Sequence, residues 1–78
     1  MTFDERLRDI FRDVLNAPAL VLTDETTAAE LPGWDSLAHI NALFAIEETF
    51  GVQFLTGEFA RLESIGDVKR ALVQKGVG

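Results

Sequence analysis

Ser36 is the residue around which chemistry could be organised. It lies in Leu31-Pro32-Gly33-Trp34-Asp35-Ser36-Leu37, where a Pro-Gly turn gives way to an apolar helical pattern, with Asp35 as the expected N-cap. Ser36 therefore falls in the first turn of a helix. Backbone N–H groups without intrahelical partners meet the positive end of the helix dipole there. A phosphate joined to the Ser36 oxygen would be stabilised by that setting. His39 lies about one turn further on, which raises a second chemistry, a serine nucleophile with a neighbouring base. The plainest alternative is a serine that only helps to cap the helix, a common use of the residue.

The hydrolytic option is the weakest of the three. Asp35-Ser36-Leu37 overlaps the Gly-Asp-Ser-Leu signature of a lipase and esterase family, but Trp34 stands where that signature has glycine. A triad also needs an oriented base and an oxyanion hole, and 78 residues offer little scaffold for them. His39 falls near the core side of its helix, where a packed or hydrogen-bonded histidine is expected. One histidine and no cysteine make no zinc set. The acids do not fit a calcium-binding EF-hand loop, and no glycine-rich phosphate loop is present. With no cysteine, any thiol used by this protein must arrive on a prosthetic group.

Charge narrows the choice of partner. The chain carries 13 acids and 7 Lys or Arg, a net charge of −6. All the basic residues lie in the first 15 and last 18 positions. The stretch 16–60 holds Asp24, Glu25, Glu30, Asp35, Glu47, Glu48 and Glu58 without one Lys or Arg. Such a segment argues against nucleic-acid binding and would steer a partner protein with a basic surface. A solvated acidic surface serving only solubility is the alternative. Hydrophobic residues make up 47% of the chain, enough for one compact core, so a single domain over 1–78 is expected. Charges recur from Asp4 onward and no apolar run is long enough to span a bilayer. A soluble, cytoplasmic monomer is expected.

Four helices are needed to position Ser36. Thr2 followed by Glu5 fits a capping box, and Phe3, Leu7, Ile10, Phe11, Val14 and Leu15 repeat at helical spacing. Asn16-Ala17-Pro18 ends this first helix. A long connection follows, expected to be pinned to the core by Leu20, Val21, Leu22, Leu31 and Trp34, with a short helical turn within Thr23–Ala29. The second helix is predicted over 36–50, with Gly51 as its stop. Residues 52–55 form an extended link to a brief third helix around Gly57–Leu62. The last helix opens at Ser64, with Asp67 three residues on, presents Ile65, Val68, Leu72 and Val73 to the core, and ends at Gly76.

The second helix is apolar on two sides. Leu43, Ile46 and Phe50, flanked by Ala42 and His39, form the expected core stripe. Leu37, Ile40 and Phe44 form a second arc among Asn41, Glu47 and Glu48. A helix burying one face has no need of that arc. Either the short third helix covers it or it is a docking strip for a partner, starting beside Ser36.

Three segments together resemble the acyl carrier protein family: Gly33-Trp34-Asp35-Ser36-Leu37, Ile46-Glu47-Glu48-Thr49-Phe50-Gly51, and Ser64-Ile65-Gly66-Asp67-Val68. The similarity spans essentially the whole chain. It implies an all-α four-helix bundle with a long first loop and a short third helix, and no catalytic activity of the chain's own. It implies that Ser36 receives 4′-phosphopantetheine from coenzyme A, through a separate phosphopantetheinyl transferase using Mg²⁺. The arm's thiol then holds acyl groups as thioesters for partner enzymes of fatty-acid, polyketide or related acyl assembly, and the bundle interior can shelter a growing chain. The same resemblance assigns enzyme docking to Asp35, Leu37, Ile40, Asn41, Phe44, Glu47 and Glu48. Typical fatty-acid carriers are acidic at the positions of Ala38 and Asn41 and have methionine or a smaller aliphatic at Phe44. That difference points toward a dedicated pathway, and Asp35 before the serine speaks against a peptidyl carrier. An unmodified helical interaction module with the same fold is the alternative from another class, and a small serine esterase the remote one.

Overall fold

The first helix, α1, runs from Phe3 to Val14 because its start and its apolar stripe agree. Thr2 is the N-cap, its hydroxyl accepting from the Glu5 N–H at 3.2 Å, and Leu7 and Phe11 are fully buried one turn apart. A computed structural model of the chain describes residues 2–77, with Thr56 described in its backbone only. Three further helices follow: α2 over Ser36–Phe50, α3 over Thr56–Ala60 and α4 over Ile65–Gln74. The described residues thus form a four-helix bundle, with one isolated antiparallel bridge between Thr27 and Ser64. α2 ends at Gly51, whose φ of 67° is the left-handed conformation that glycine adopts without a Cβ penalty.

The core is built where α1, α2 and α4 meet. Leu7 and Phe11 come from α1, Ala42 and Ile46 from α2, Ile65, Val68 and Leu72 from α4, and Phe59 from α3. The central stripe of α2 is thus Ala38-Ala42-Ile46, while Leu43 and Phe50 flank it half-buried. The expected stripe was centred one position away. Small residues at 38 and 42 suit the close approach of α1 to α2. Val73, expected on the apolar face of α4, points outward instead and is 54% exposed.

The twenty residues between α1 and α2 are held by backbone hydrogen bonds as well as by apolar contacts. Arg12 Nε donates to the Leu20 carbonyl at 2.8 Å. Ala28 N–H donates to the Glu63 carbonyl, Ile65 N–H to Thr26 and Gly66 N–H to Asp24, all within 3.0 Å. The loop is therefore stitched to the α3–α4 connection. Leu22 and Trp34 are buried beneath it and Leu20 and Leu31 pack at its edge, but Val21, expected inside, is 81% exposed. The helical turn in the loop is a single 3₁₀ turn at Ala28–Glu30, overlapping the end of the expected Thr23–Ala29 stretch and running one residue past it. Asp24 adds charge to the stitch. Lys69 Nζ bridges its carboxylate at 3.3 Å and that of Asp4 at 3.0 Å, and Arg8 approaches it at 3.7 Å.

The short α3 cannot be stable alone; Glu58 ties it to its own N-cap residue and to the end of α4. Its Oε1 accepts from the Leu55 N–H at 3.1 Å and from Lys75 Nζ at 3.0 Å. The Lys75 hydrogen bond first, and then the Leu55 N–H, hold the Glu58 carboxyl below its ordinary pKa. Since the folded value is depressed, this anchor is fully present above the ordinary carboxylate range and is lost as pH falls from there through the lower folded value.

Two tests follow from these contacts. A Cβ at Gly66 would lie 2.9 Å from the Asp24 carbonyl oxygen, so Gly66→Ala must push the loop off α4. A loss of about 1–3 kcal/mol is expected, read as a fall of several degrees in the thermal midpoint by circular dichroism; an unchanged midpoint contradicts the stitch. Glu58→Gln should speed hydrogen exchange of the α3 amides at neutral pH while leaving the centre of α4 protected. Acidification of the parent protein should give the same pattern. Equal exchange in both proteins at neutral pH contradicts the anchor.

Candidate functional site

The start of α2 separates a capping residue from a free one. Asp35 has an extended backbone, with φ −96° and ψ −172°, and its Oδ1 accepts from the Ala38 N–H at 2.9 Å. Asp35 is therefore the N-cap, and Ser36 is the first helical residue with its side chain exposed. Among the described hydrogen bonds none engages the Ser36 hydroxyl. The only other serine of the chain, Ser64, behaves differently. It is the N-cap of α4, and its Oγ accepts from the Asp67 N–H at 3.1 Å. Two serines stand at helix starts, and only one of them is tied up in capping.

Trp34 sets where that free serine stands. Its ring is 4% exposed and lies 4.8 Å from the Phe11 ring, centroid to centroid. Trp34 Nε1–H donates to His39 Nδ1 at 3.0 Å, and His39 Nε2 lies 2.8 Å from the Phe59 carbonyl oxygen. An indole nitrogen can only donate, so Nδ1 is the acceptor and the ring hydrogen sits on Nε2, which donates to Phe59. Both imidazole nitrogens are thus engaged away from Ser36. His39 is a structural bridge between the loop end, α2 and α3, and the arrangement holds no base for a serine nucleophile.

The second apolar arc of α2 is uncovered. Leu37 is 67% exposed, Ile40 48% and Phe44 61%, so α3 does not bury it. Asn41 and Glu48 are exposed beside it. Two observations bear on that surface. Ala38 is buried, so its lack of charge says nothing about a docking surface. Glu47 is half-buried, and its Oε2 accepts from the Phe54 N–H at 2.9 Å, fixing the link into α3. Sequence reasoning also missed Arg6, which donates to the Thr49 carbonyl at 3.3 Å and lies over the Phe50 ring. It places a basic residue from α1 at the C-terminal end of α2, where the dipole is negative. Nothing local in the sequence signals a contact spanning 43 positions.

An open groove of about 530 Å³ starts at Ser36. It is lined by Ala28 and Ala29 of the loop, by Ile40 of α2 and Ala60 with Leu62, and by the buried Trp34 and half-buried His39. A phosphodiester on Ser36 fits this setting. The hydroxyl is free, the first turn of α2 contains no acid, and the Ser36 and Leu37 N–H groups have no partner among the described hydrogen bonds. Ser36 itself is one of the residues that line the groove. Among the described residues there is no cluster of His, Asp or Glu that could hold a metal ion, and no helix long and apolar enough to cross a membrane.

Comparison with known proteins agrees with this geometry. The family model described as "Phosphopantetheine attachment site" matches residues 5–72. The chain is 31% identical over 64 residues to an acyl carrier protein of Clostridium acetobutylicum, covering 82% of this chain and 83% of that protein. The solution structure of a holo acyl carrier protein from Geobacter metallireducens superimposes with a TM-score of 0.78 at 34% identity, over 96% of this chain and 91% of the other. A holo acyl carrier protein from Nitrosomonas europaea gives 0.81 at 29% identity, over 96% of each. A four-helix bundle, a free serine at the head of its second helix and these relatives lead to one assignment: the chain belongs to the acyl carrier protein family, carriers rather than enzymes, whose prosthetic group is 4′-phosphopantetheine.

Proposed function

We propose that Ser36 is the attachment point of the arm and that the loaded protein carries acyl groups as thioesters between enzymes of an acyl-assembly pathway. The observation that carries this reading is the division of labour at the α2 start. Asp35 caps the helix and leaves the Ser36 hydroxyl exposed and without a partner. Ser36 Oγ displaces the adenosine bisphosphate of coenzyme A. The Oγ–P bond forms, the P–O bond of the pyrophosphate breaks, and the hydroxyl proton passes to the phosphopantetheinyl transferase. The arm supplies the thiol that this cysteine-free chain lacks. The first-turn N–H groups and the helix dipole then hold the phosphodiester at its inner end.

Partner enzymes dock on the outer arc of α2, where Leu37, Ile40 and Phe44 supply apolar area and Asp35, Asn41 and Glu48 the polar rim. Exposed Glu48 steers basic partner surfaces, whereas Glu47 contributes mainly by holding the chain at Phe54. Asn41 is neutral and Phe44 is bulky at the centre of this surface. Both features support partners of a specialised pathway, such as polyketide assembly, over the general fatty-acid set. Such a carrier works as a cytoplasmic monomer.

Intact-mass measurement after incubation with coenzyme A, Mg²⁺ and a broad-specificity phosphopantetheinyl transferase tests the assignment. Wild type should gain one phosphopantetheine and Ser36→Ala none. A folded wild type that gains nothing would favour an unmodified interaction module. Docking is checked by the kinetics of the same reaction at low salt. Glu48→Lys should slow modification several-fold and 0.5 M salt should erase the difference. Glu47→Gln should instead lower thermal stability with little change in rate. Identical rates for wild type and Glu48→Lys at low salt refute the steering role.

A further inference from the structure

The aromatic rings around His39 form one continuous row across the bundle. Phe11 of α1 meets Trp34 at 4.8 Å between centroids, Trp34 stacks on His39 at 6.0 Å, His39 meets Phe59 at 4.4 Å, and Phe59 meets Phe54 at 5.1 Å. Phe11, at one end of the row, and Phe59, within it, are fully buried. The row passes through the seam between α2 and α3, directly under the groove that starts at Ser36. The hydrogen bonds from Trp34 to His39 and from His39 to the Phe59 carbonyl lock the same seam. An acyl chain entering the bundle from Ser36 would have to part His39 from Phe59, break both hydrogen bonds and leave the Trp34 N–H without its partner, the Phe59 carbonyl keeping only the Leu62 N–H.

We propose that His39 sets the depth of cargo binding. It closes the α2–α3 seam, so a thioester-bound chain lies in the open groove between Ala28–Ala29 and Ile40–Ala60–Leu62 and does not reach the core residues Ile46, Val68 and Leu72. The groove is apolar along its walls but has Asp35 and Glu63 among its lining residues and opens to solvent. It therefore suits short or polar acyl groups, whose exposure costs little, over long saturated chains, each methylene of which gains about 0.8 kcal/mol on burial. This specificity rests on attachment at Ser36. His39 acts as a positioning residue, through Trp34 and Phe59.

The test loads wild type, His39→Ala and His39→Gln with butyryl- or octanoyl-phosphopantetheine from the corresponding acyl-coenzyme A. It measures thioester cleavage by hydroxylamine and, in parallel, methyl chemical shifts. Failure of wild type to load would overturn attachment at Ser36, a result distinct from any cleavage pattern. In loaded wild type the two thioesters should be cleaved at closely similar rates, with shifts confined to Ala28, Ala29, Ile40, Ala60 and Leu62. His39→Ala should open the seam. Its octanoyl thioester should be protected about tenfold, the factor that burial of two methylenes gives, with shifts at Ile46, Val68 and Leu72. His39→Gln, whose amide can accept from Trp34 and donate to Phe59, should restore the wild-type pattern. Protection of the octanoyl thioester in wild type, with core shifts, would overturn the proposal. That arm decides the question even if His39→Ala fails to fold.

Discussion

The burial of Trp34 two positions before an exposed Ser36 is the constraint on which the site depends. The indole is held by the Phe11 face of α1 and by its hydrogen bond to His39, so the chain enters α2 at a fixed place and angle. Asp35 then spends its carboxylate on the cap, and Ser36 is left exposed. A serine in a floating loop could also be modified, but its phosphodiester would not meet an ordered row of N–H groups. Large apolar burial thus converts, within two residues, into the placement of one hydroxyl.

The long first loop serves the same end. Its backbone bonds to the α3–α4 connection and the Asp24–Lys69–Asp4 ion pairs keep Ala28 and Ala29 opposite α2 as a groove wall. The radius of gyration, 11.3 Å, agrees with the roughly 11.5 Å of a folded chain of this length, so the loop lies on the bundle. Several charges counted in the acidic middle of the chain are committed to structure: Asp24 in the ion pairs, Glu58 at α3, and Glu47 at the Phe54 N–H. The acidity offered to a partner is correspondingly thinner: Glu25 and Glu30 on the loop, Asp35 at the head of α2 and Glu48 within it stay exposed.

The features legible in the sequence are those decided within a few residues. Asp35 and Gly51 bound α2, and Thr2 and Ser64 each accept from the N–H three residues on, because a cap is a contact between positions two or three apart. The return half of the expected capping boxes is not among the described hydrogen bonds, and the Asp67 carboxylate takes the Glu63 N–H. The motif at Ser36 and the two similar segments downstream gave the family. The rotation of α2 was less legible. A helix apolar on nearly every side has no single stripe to set its register, so close packing at Ala38 and Ala42 decides, and the core stripe moved by one position. Val21, Val73 and the inward turn of Ala38 follow from the same competition for limited interior volume. Trp34–His39–Phe59, Arg6–Thr49 and Glu47–Phe54 join residues distant in sequence or across a link. No local pattern announces them.

The central claim is that one of two helix-start serines is free to carry the arm and the other is not. Fragmentation mass spectrometry of the protein produced together with a phosphopantetheinyl transferase measures this directly, since it reads the position of the modification. The account predicts that all of the phosphopantetheine is found on Ser36 and none on Ser64. Modification at Ser64, or a fully folded protein carrying none at Ser36, would contradict it.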